Sequence, residues 1–310
     1  MFFGVVFPGQ GSQRVGMLEE AAGAFSVVSD TFSEASEALG YDLWQLVSQG
    51  PAEKLGLTEY TQPAILTASV ALYRAFTEVN EFQPSAGAGH SLGEYSALVS
   101  AGTLSLEDGV RLVRQRGSAM QDAVPIGVGA MAVVMGLDDR IVTDICKSIS
   151  SADSFVDCVN FNAPGQVVIA GHAAAVDAAV VALKHAGSRR AMPLPVSAPF
   201  HTPLMQPAAE VLQRAFEEVN WSTPKFPVVS NVDGSLQTNA DSIRSSLVKQ
   251  VSAPVLWTNC MAKLRRAGCT HFVECGPGDV LSGLSKRIEK SVPIKSIETV
   301  AAIKAGVTDL

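Results

Sequence analysis

A chain of 310 residues with 47% apolar and 17% charged residues has ample material for a packed interior and too little charge to stay disordered. A net charge of −7 and a pI near 5.3 argue against a nucleic-acid partner. The apolar stretches break well short of a bilayer-spanning length, and five cysteines without a C-x-x-C pair read as reduced thiols in a cytoplasmic protein.

Residues 2–7 read as a buried first strand, because they lack the basic segment of a secretory leader and run straight into Pro8-Gly9. The loop that follows, Gly9-Gln10-Gly11-Ser12-Gln13, has glycines where backbone amides can crowd close to a ligand. Gly16 stands too far along to be the third glycine of a dinucleotide turn, and there is no G-x-x-x-x-G-K-[ST]. What remains is a strand-end loop offering amide donors, notably the N–H of Gln10. Residues 24–48 and 57–75 are patterned as helices. Gln62, just ahead of Pro63, is either a helix-entry polar group or a site residue.

Ser85-Ala86-Gly87-Ala88 suits a tightly packed strand, and an apolar helical run ends at Gly102. Between them lies Gly89-His90-Ser91-Leu92-Gly93-Glu94. Strand, sharp turn and helix around a G-x-S-x-G is the setting of a nucleophile elbow. The glycines let the backbone turn abruptly, and the Leu92 amide at the helix start can donate to a developing oxyanion. The plainer alternative is a serine that only caps the helix.

Residues 106–121 form an amphipathic helix in which Leu106, Val110, Leu112, Val113, Gly117 and Met120 share one arc. Arg111 and Arg114 fall outside that arc, and Arg116 falls inside it. A buried arginine is not left unpaired, so Arg116 either meets an interior carboxylate or awaits a substrate carboxylate.

Beyond Pro125 the pattern changes to strand (130–136), helix (138–149), two hairpin strands (155–160 and 166–171), helix (173–186) and strand (190–196). That is the ferredoxin-like order, and it fits a compact insertion. The main domain resumes in a proline-fenced loop that carries His201, the histidine best placed to serve Ser91. Cys146, Cys158, Cys260, Cys269 and Cys275 have no nucleophile context, and the histidines show no metal spacing, so no metal is expected. Residues 227–234 read as a strand and turn, 247–257 as a helix that breaks at Pro254, 270–274 as a final strand and 280–290 as a helix. Everything after Glu298 reads as a loose tail.

Taken together, Gly9-Gln10-Gly11-Ser12-Gln13, Gly89-His90-Ser91-Leu92-Gly93-Glu94, Arg116 and Phe200-His201 resemble the malonyl-CoA:acyl-carrier-protein transacylases, over nearly the whole chain. The resemblance implies an α/β-hydrolase-like large subdomain (residues 1–125 and 198–310) with an inserted ferredoxin-like small subdomain (126–197). It implies Ser91 as nucleophile, His201 as general base and then acid, and the main-chain carbonyl of Gln250 as the group steadying the histidine. The amides of Gln10 and Leu92 would form the oxyanion hole, and Arg116 would bind the free malonyl carboxylate. Gln62, Asn160, Asn162, Gln166 and Asn231 would line the cleft with Met120. Phe200 would disfavour methylmalonyl. The partners implied are malonyl-CoA and an acyl carrier protein that brings its own phosphopantetheine. The enzyme itself would need no cofactor, and Lys184, Arg189, Arg190, Lys263, Arg265, Arg266, Lys286 and Arg287 are candidate docking cations. A serine hydrolase, a scaffold with a vestigial site and a free-standing polyketide acyltransferase are the rival readings.

Overall fold

In the computed structural model the described residues are 1–196 and 198–307, so Ser197, at the expected boundary of the insertion, and the last three residues of the expected tail lie outside them. The strands are β1 (Phe3–Phe7), β2 (Ala86–Gly89), β3 (Gly129–Met135), β4 (Val156–Ala163), β5 (Gln166–His172), β6 (Arg190–Pro193), β7 (Val228–Val229), β8 (Leu236–Gln237), β9 (His271–Glu274) and β10 (Ile294–Ser296). They make a mixed α/β fold with two sheets.

The first sheet has the order β10-β9-β1-β2-β7-β8, parallel except for the last pair. Parallel neighbours need helical crossovers, and those helices cover both faces of the sheet. β1 and β2 are adjacent in register, with Phe7 opposite Gly89. Their carboxyl ends therefore deliver the Gln10 loop and the Ser91 turn side by side, at the edge where open α/β sheets bind ligands. The glycines there are forced by close approach: a Cβ on Gly89 would stand 1.8 Å from the Gly93 carbonyl, and one on Gly93 would stand 2.1 Å from the Phe7 carbonyl oxygen.

The second sheet, β4-β5-β3-β6, is antiparallel throughout, and the helices Asp139–Ile149 and Ala173–His185 bury its apolar face. This is the ferredoxin-like arrangement of strand, helix, hairpin, helix, strand. β4 is tied to the first unit by backbone bonds between Val255 and residues 159 and 161.

Several boundaries differ from the sequence expectation. The helical run at 24–48 divides into Ser26–Leu39 and Leu43–Gln49, because Gly40 closes the first in the left-handed region (φ 74°) and Asp42 caps the second. β6 stops at Pro193. The helix expected to begin at 247 spans Ala240–Ser252, and Trp257–Arg266 forms another. β9 is not the last strand, since β10 pairs beside it. Residues 299–307 are no loose tail. Thr299 caps the helix Val300–Ala305, Ile303 is fully buried, and Asn80 Nδ2 donates to the Ile303 carbonyl at 2.9 Å. Six residues show too little periodicity to reveal that apolar anchor. Among the described residues, no helix is long and apolar enough to cross a membrane.

Docking of this terminal helix has a measurable consequence. Ile303→Ala should lower the unfolding free energy by about 2–5 kcal/mol in urea denaturation. A loosely held tail would leave the midpoint unmoved.

Candidate active site

The turn between β2 and the helix Gly93–Ser100 holds Ser91 at φ 52°, a left-handed conformation that a residue with a Cβ adopts only under constraint. The constraint is Asn231, fully buried beneath the turn. Its Oδ1 accepts from the Ser91 N–H at 2.7 Å, while its Nδ2 donates to the Gly89 carbonyl at 2.7 Å. One amide thus clamps both ends of the turn and aims the serine hydroxyl outward.

His201 Nε2 lies 2.8 Å from Ser91 Oγ. Its Nδ1 lies 2.9 Å from the main-chain carbonyl of Gln250. A carbonyl can only accept, so Nδ1 carries the proton and Nε2 is left to accept from the serine. No carboxylate among the described residues backs the ring. Burial, and after it the nearby positive charge of Arg116, push the imidazole down to about 3, opposed by its bond to the Gln250 carbonyl. The base therefore stands neutral and ready. His201 also has positive φ, 63°, so both members of the pair sit on constrained backbone.

Arg116 is 1% exposed. Its Nη1 donates to Gln62 Oε1 at 2.9 Å, and its Nη2 donates to Gln250 Oε1 at 3.0 Å and to Ser91 Oγ at 3.2 Å. Among the described residues its Nε meets no hydrogen-bond acceptor, and the guanidinium lies 5.6 Å from the centroid of the Tyr95 ring. Among the described residues it forms no ion pair. Of the two alternatives for a buried arginine, the interior salt bridge is absent. Close helix packing brings these groups together: a Cβ on Gly117 would stand 2.6 Å from the Thr58 carbonyl oxygen, so only glycine lets residue 116 approach Gln62. Gln62 itself is buried in the first turns of Thr58–Val79, ahead of Pro63.

These groups open into a cavity between the two sheets, lined by Gln10, Gln62, Ser91, Leu92, Arg116, Met120, Asn160, Asn162, Phe200 and His201, with Met131, Val168, Leu194 and Val196 as its apolar wall. Two expected cleft residues stand elsewhere. Asn231 lies under the site and holds the turn, while Gln250 stands behind His201 as its expected carbonyl partner. Gln166, at the turn end of β5, accepts from Arg287 outside the cavity. Two further residues of the site carry little sequence signal. His90, which reads as an ordinary turn histidine, lines the cavity, and its Nε2 donates to Asn162 Oδ1 at 2.7 Å, joining the elbow to β4. Glu94 is 3% exposed, and its Oε2 accepts from Gln250 Nε2 at 2.8 Å and from the Asn231 N–H at 3.1 Å. Glu94 closes the Gly89–Glu94 motif and opens an otherwise apolar helix, but neither signal points to Gln250 and Asn231 as its partners. The cysteines are free and buried, and among the described residues no cluster suits a metal.

A serine on an elbow, a neutral imidazole against it and a buried cation within reach of its hydroxyl define an acyl-transfer site. Residues 5–310 match the acyl transferase domain family. The chain is 51% identical over 304 residues to the malonyl CoA-acyl carrier protein transacylase of Escherichia coli (strain K12), covering 98% of each. It is 44% identical over 300 residues to that of Staphylococcus aureus (strain MW2), covering 97% of this chain and 96% of the relative. Among solved structures, an acyl carrier protein S-malonyltransferase from Vibrio cholerae superposes with a TM-score of 0.95 at 48% identity, covering 98% of this chain and 99% of that one. A malonyl-transacylase solved in complex with its type II polyketide acyl-carrier protein gives 0.97 at 48%, covering all of both chains. The chain belongs to the malonyl CoA-acyl carrier protein transacylase family.

The lowered affinity of His201 for protons sets a pH expectation. An unfolded chain protonates this ring near 6.5 and the native one only near 3, so its contribution to stability is full above pH 6.5 and is lost as pH falls from there. Labelling of Ser91 by a fluorophosphonate should hold its plateau as pH falls through 6.5 and decline only below. Half-loss at or above 6.5 would contradict the neutral, buried base.

Proposed function

We propose that the chain moves the malonyl group from malonyl-CoA to the phosphopantetheine thiol of acyl carrier protein through a malonyl-Ser91 ester, supplying fatty acid synthesis. Ser91 Oγ attacks the thioester carbonyl while His201 Nε2 takes its proton. The amides of Gln10 and Leu92, both at the cavity wall, receive the oxyanion. Collapse breaks the carbon–sulfur bond, and His201 returns the proton to the CoA thiolate. The carrier's thiol then gives its proton to His201 and attacks the ester, and Ser91 leaves with that proton. Two half-reactions on one serine mean ping-pong kinetics.

The observation that carries this reading is Arg116. Among the described residues its guanidinium has no carboxylate partner, and it touches the nucleophile's oxygen at 3.2 Å. A malonyl carboxylate supplies the missing anion, and acetyl does not. The fork geometry suits such a carboxylate, with Gln62 and Gln250 holding the back of the guanidinium. Phe200, beside His201 in the wall, limits the space for a methyl branch.

The chain divides, on this reading, into a catalytic subdomain of residues 1–125 and 198–310 and an inserted subdomain of 126–197, with the acyl group held between them. Arg189 and Arg190, both exposed on the inserted unit, are candidate contacts for an acidic carrier. The scheme takes place in the cytoplasm and uses no cofactor on the enzyme, since phosphopantetheine arrives with the partner.

Intact-mass spectrometry after mixing with malonyl-CoA should show one malonyl adduct, lost in Ser91→Ala. Its absence from the wild type would end the proposal. Arg116→Ala should lower kcat/KM for malonyl-CoA by roughly 10- to 100-fold while sparing acetyl-CoA, as expected for loss of one charge-assisted contact. An unchanged malonyl-to-acetyl ratio would remove the clamp. In Phe200→Ser, turnover of methylmalonyl-CoA relative to malonyl-CoA should rise several-fold, roughly the worth of one methyl in a pocket. No relative gain would dismiss the steric role of the ring.

A further inference from the structure

Glu94 is a buried carboxylate that no step of the acyl transfer uses. It is 3% exposed and forms no ion pair among the described residues. Burial pushes its carboxyl up to about 7, opposed by the bonds from Gln250 and Asn231 and by the charge of Arg116. An unpaired acid in such a place is expensive, and replacing it by an apolar side chain would spare its desolvation. What it does is visible in its partners.

Gln250 Nε2 faces two oxygens, Glu94 Oε2 at 2.8 Å and the Ser91 carbonyl at 3.0 Å. The Ser91 carbonyl accepts and does not donate, and the Arg116 guanidinium donates and does not accept, so the amide nitrogen must lie on the side of Ser91 and Glu94. The amide oxygen is thereby turned toward Arg116, whose Nη2 donates to it at 3.0 Å. A flipped amide would set oxygen against two oxygens and NH2 against a guanidinium. The same residue serves His201 through its main-chain carbonyl, a contact that does not depend on how the side chain lies. Gln250 thus has two separable arms, a main-chain arm for reactivity and a side-chain arm for the arginine.

We propose that Glu94 is a positioning residue for malonyl selectivity: its carboxylate locks the Gln250 side-chain amide, and that amide holds the Arg116 guanidinium against Ser91. The inference rests on the malonyl-transfer reading above and adds to it a residue that does not touch substrate.

The test compares kcat/KM for malonyl-CoA and acetyl-CoA in the wild type, Glu94→Met, Glu94→Gln and Gln250→Met. The ratio cancels changes in Ser91 and His201 that affect both substrates alike. Glu94→Met, similar in volume but with no strong acceptor, should lower the malonyl-to-acetyl ratio by about tenfold. Glu94→Gln keeps an acceptor oxygen and should remain within about threefold of wild type. Gln250→Met should reproduce the loss, because its unchanged main chain still holds His201. A folded Glu94→Met with the wild-type ratio, even at reduced rates for both substrates, is the signature of a merely structural role and overturns the inference. Should that variant not fold, an unchanged ratio in Gln250→Met overturns it equally. A wild type that does not prefer malonyl sinks the substrate reading and this inference together. With malonyl preferred by the wild type, an unchanged ratio in the variants removes the role of Glu94 and leaves the substrate reading standing.

Discussion

The structure depends on a guanidinium kept in a dry place and hydrogen-bonded to neutral groups. Taking a charge out of water costs several kcal/mol, and an interior carboxylate is the usual compensation. Arg116 instead has the amide oxygens of Gln62 and Gln250, the hydroxyl of Ser91 and the face of Tyr95. Dipoles of this kind hold the fork in place without neutralising it. On the proposed reading this incomplete compensation is the source of selectivity, since a carboxylate is the strongest partner the fork can find. Glu94, a buried acid close by, is tied to Gln250 and Asn231 and makes no direct ion pair with the arginine among the described residues.

That arrangement requires backbone approaches that side chains would block. Gly117 brings the helix of Arg116 against that of Gln62, and Gly89 and Gly93 let the elbow fold back on β1. The parallel register then sets the Gln10 loop beside the turn. Stability, packing and chemistry meet in these few contacts. The strained φ angles of Ser91 and His201 persist because Asn231, the sheet and the Gln250 carbonyl over-determine them.

Much of this is legible in the residues because it obeys local rules. Strand, G-x-S-x-G and helix announce the elbow, helical periodicity puts Arg116 in the apolar arc, and the order of strand and helix patterns gives the antiparallel unit. What stays hidden depends on partners distant in sequence. Nothing local to Glu94 reveals that Gln250, 156 positions on, donates to it. His90 reads as a turn residue until β4 brings Asn162 to it. Gln166, expected in the cleft from resemblance, belongs to the turn end of a strand, and its amide faces Arg287. The terminal helix is hidden for another reason, since six residues carry too little periodicity to distinguish a docked helix from a tail.

On the malonyl-transfer reading, reactivity and choice of substrate are built from different atoms of the same neighbourhood. The hydroxyl, the imidazole and a main-chain carbonyl form one chain of contacts, which would serve any thioester that fits. A peptide carbonyl is a weaker orienting group than a buried acid, but it adds no negative charge beside Arg116. An aspartate behind His201 would stabilise the imidazolium and at the same time compete for the guanidinium beside the same serine. With a carbonyl in that place the base stays neutral, no second acid is added beside Arg116, and on the proposed reading the guanidinium stays available to a substrate carboxylate.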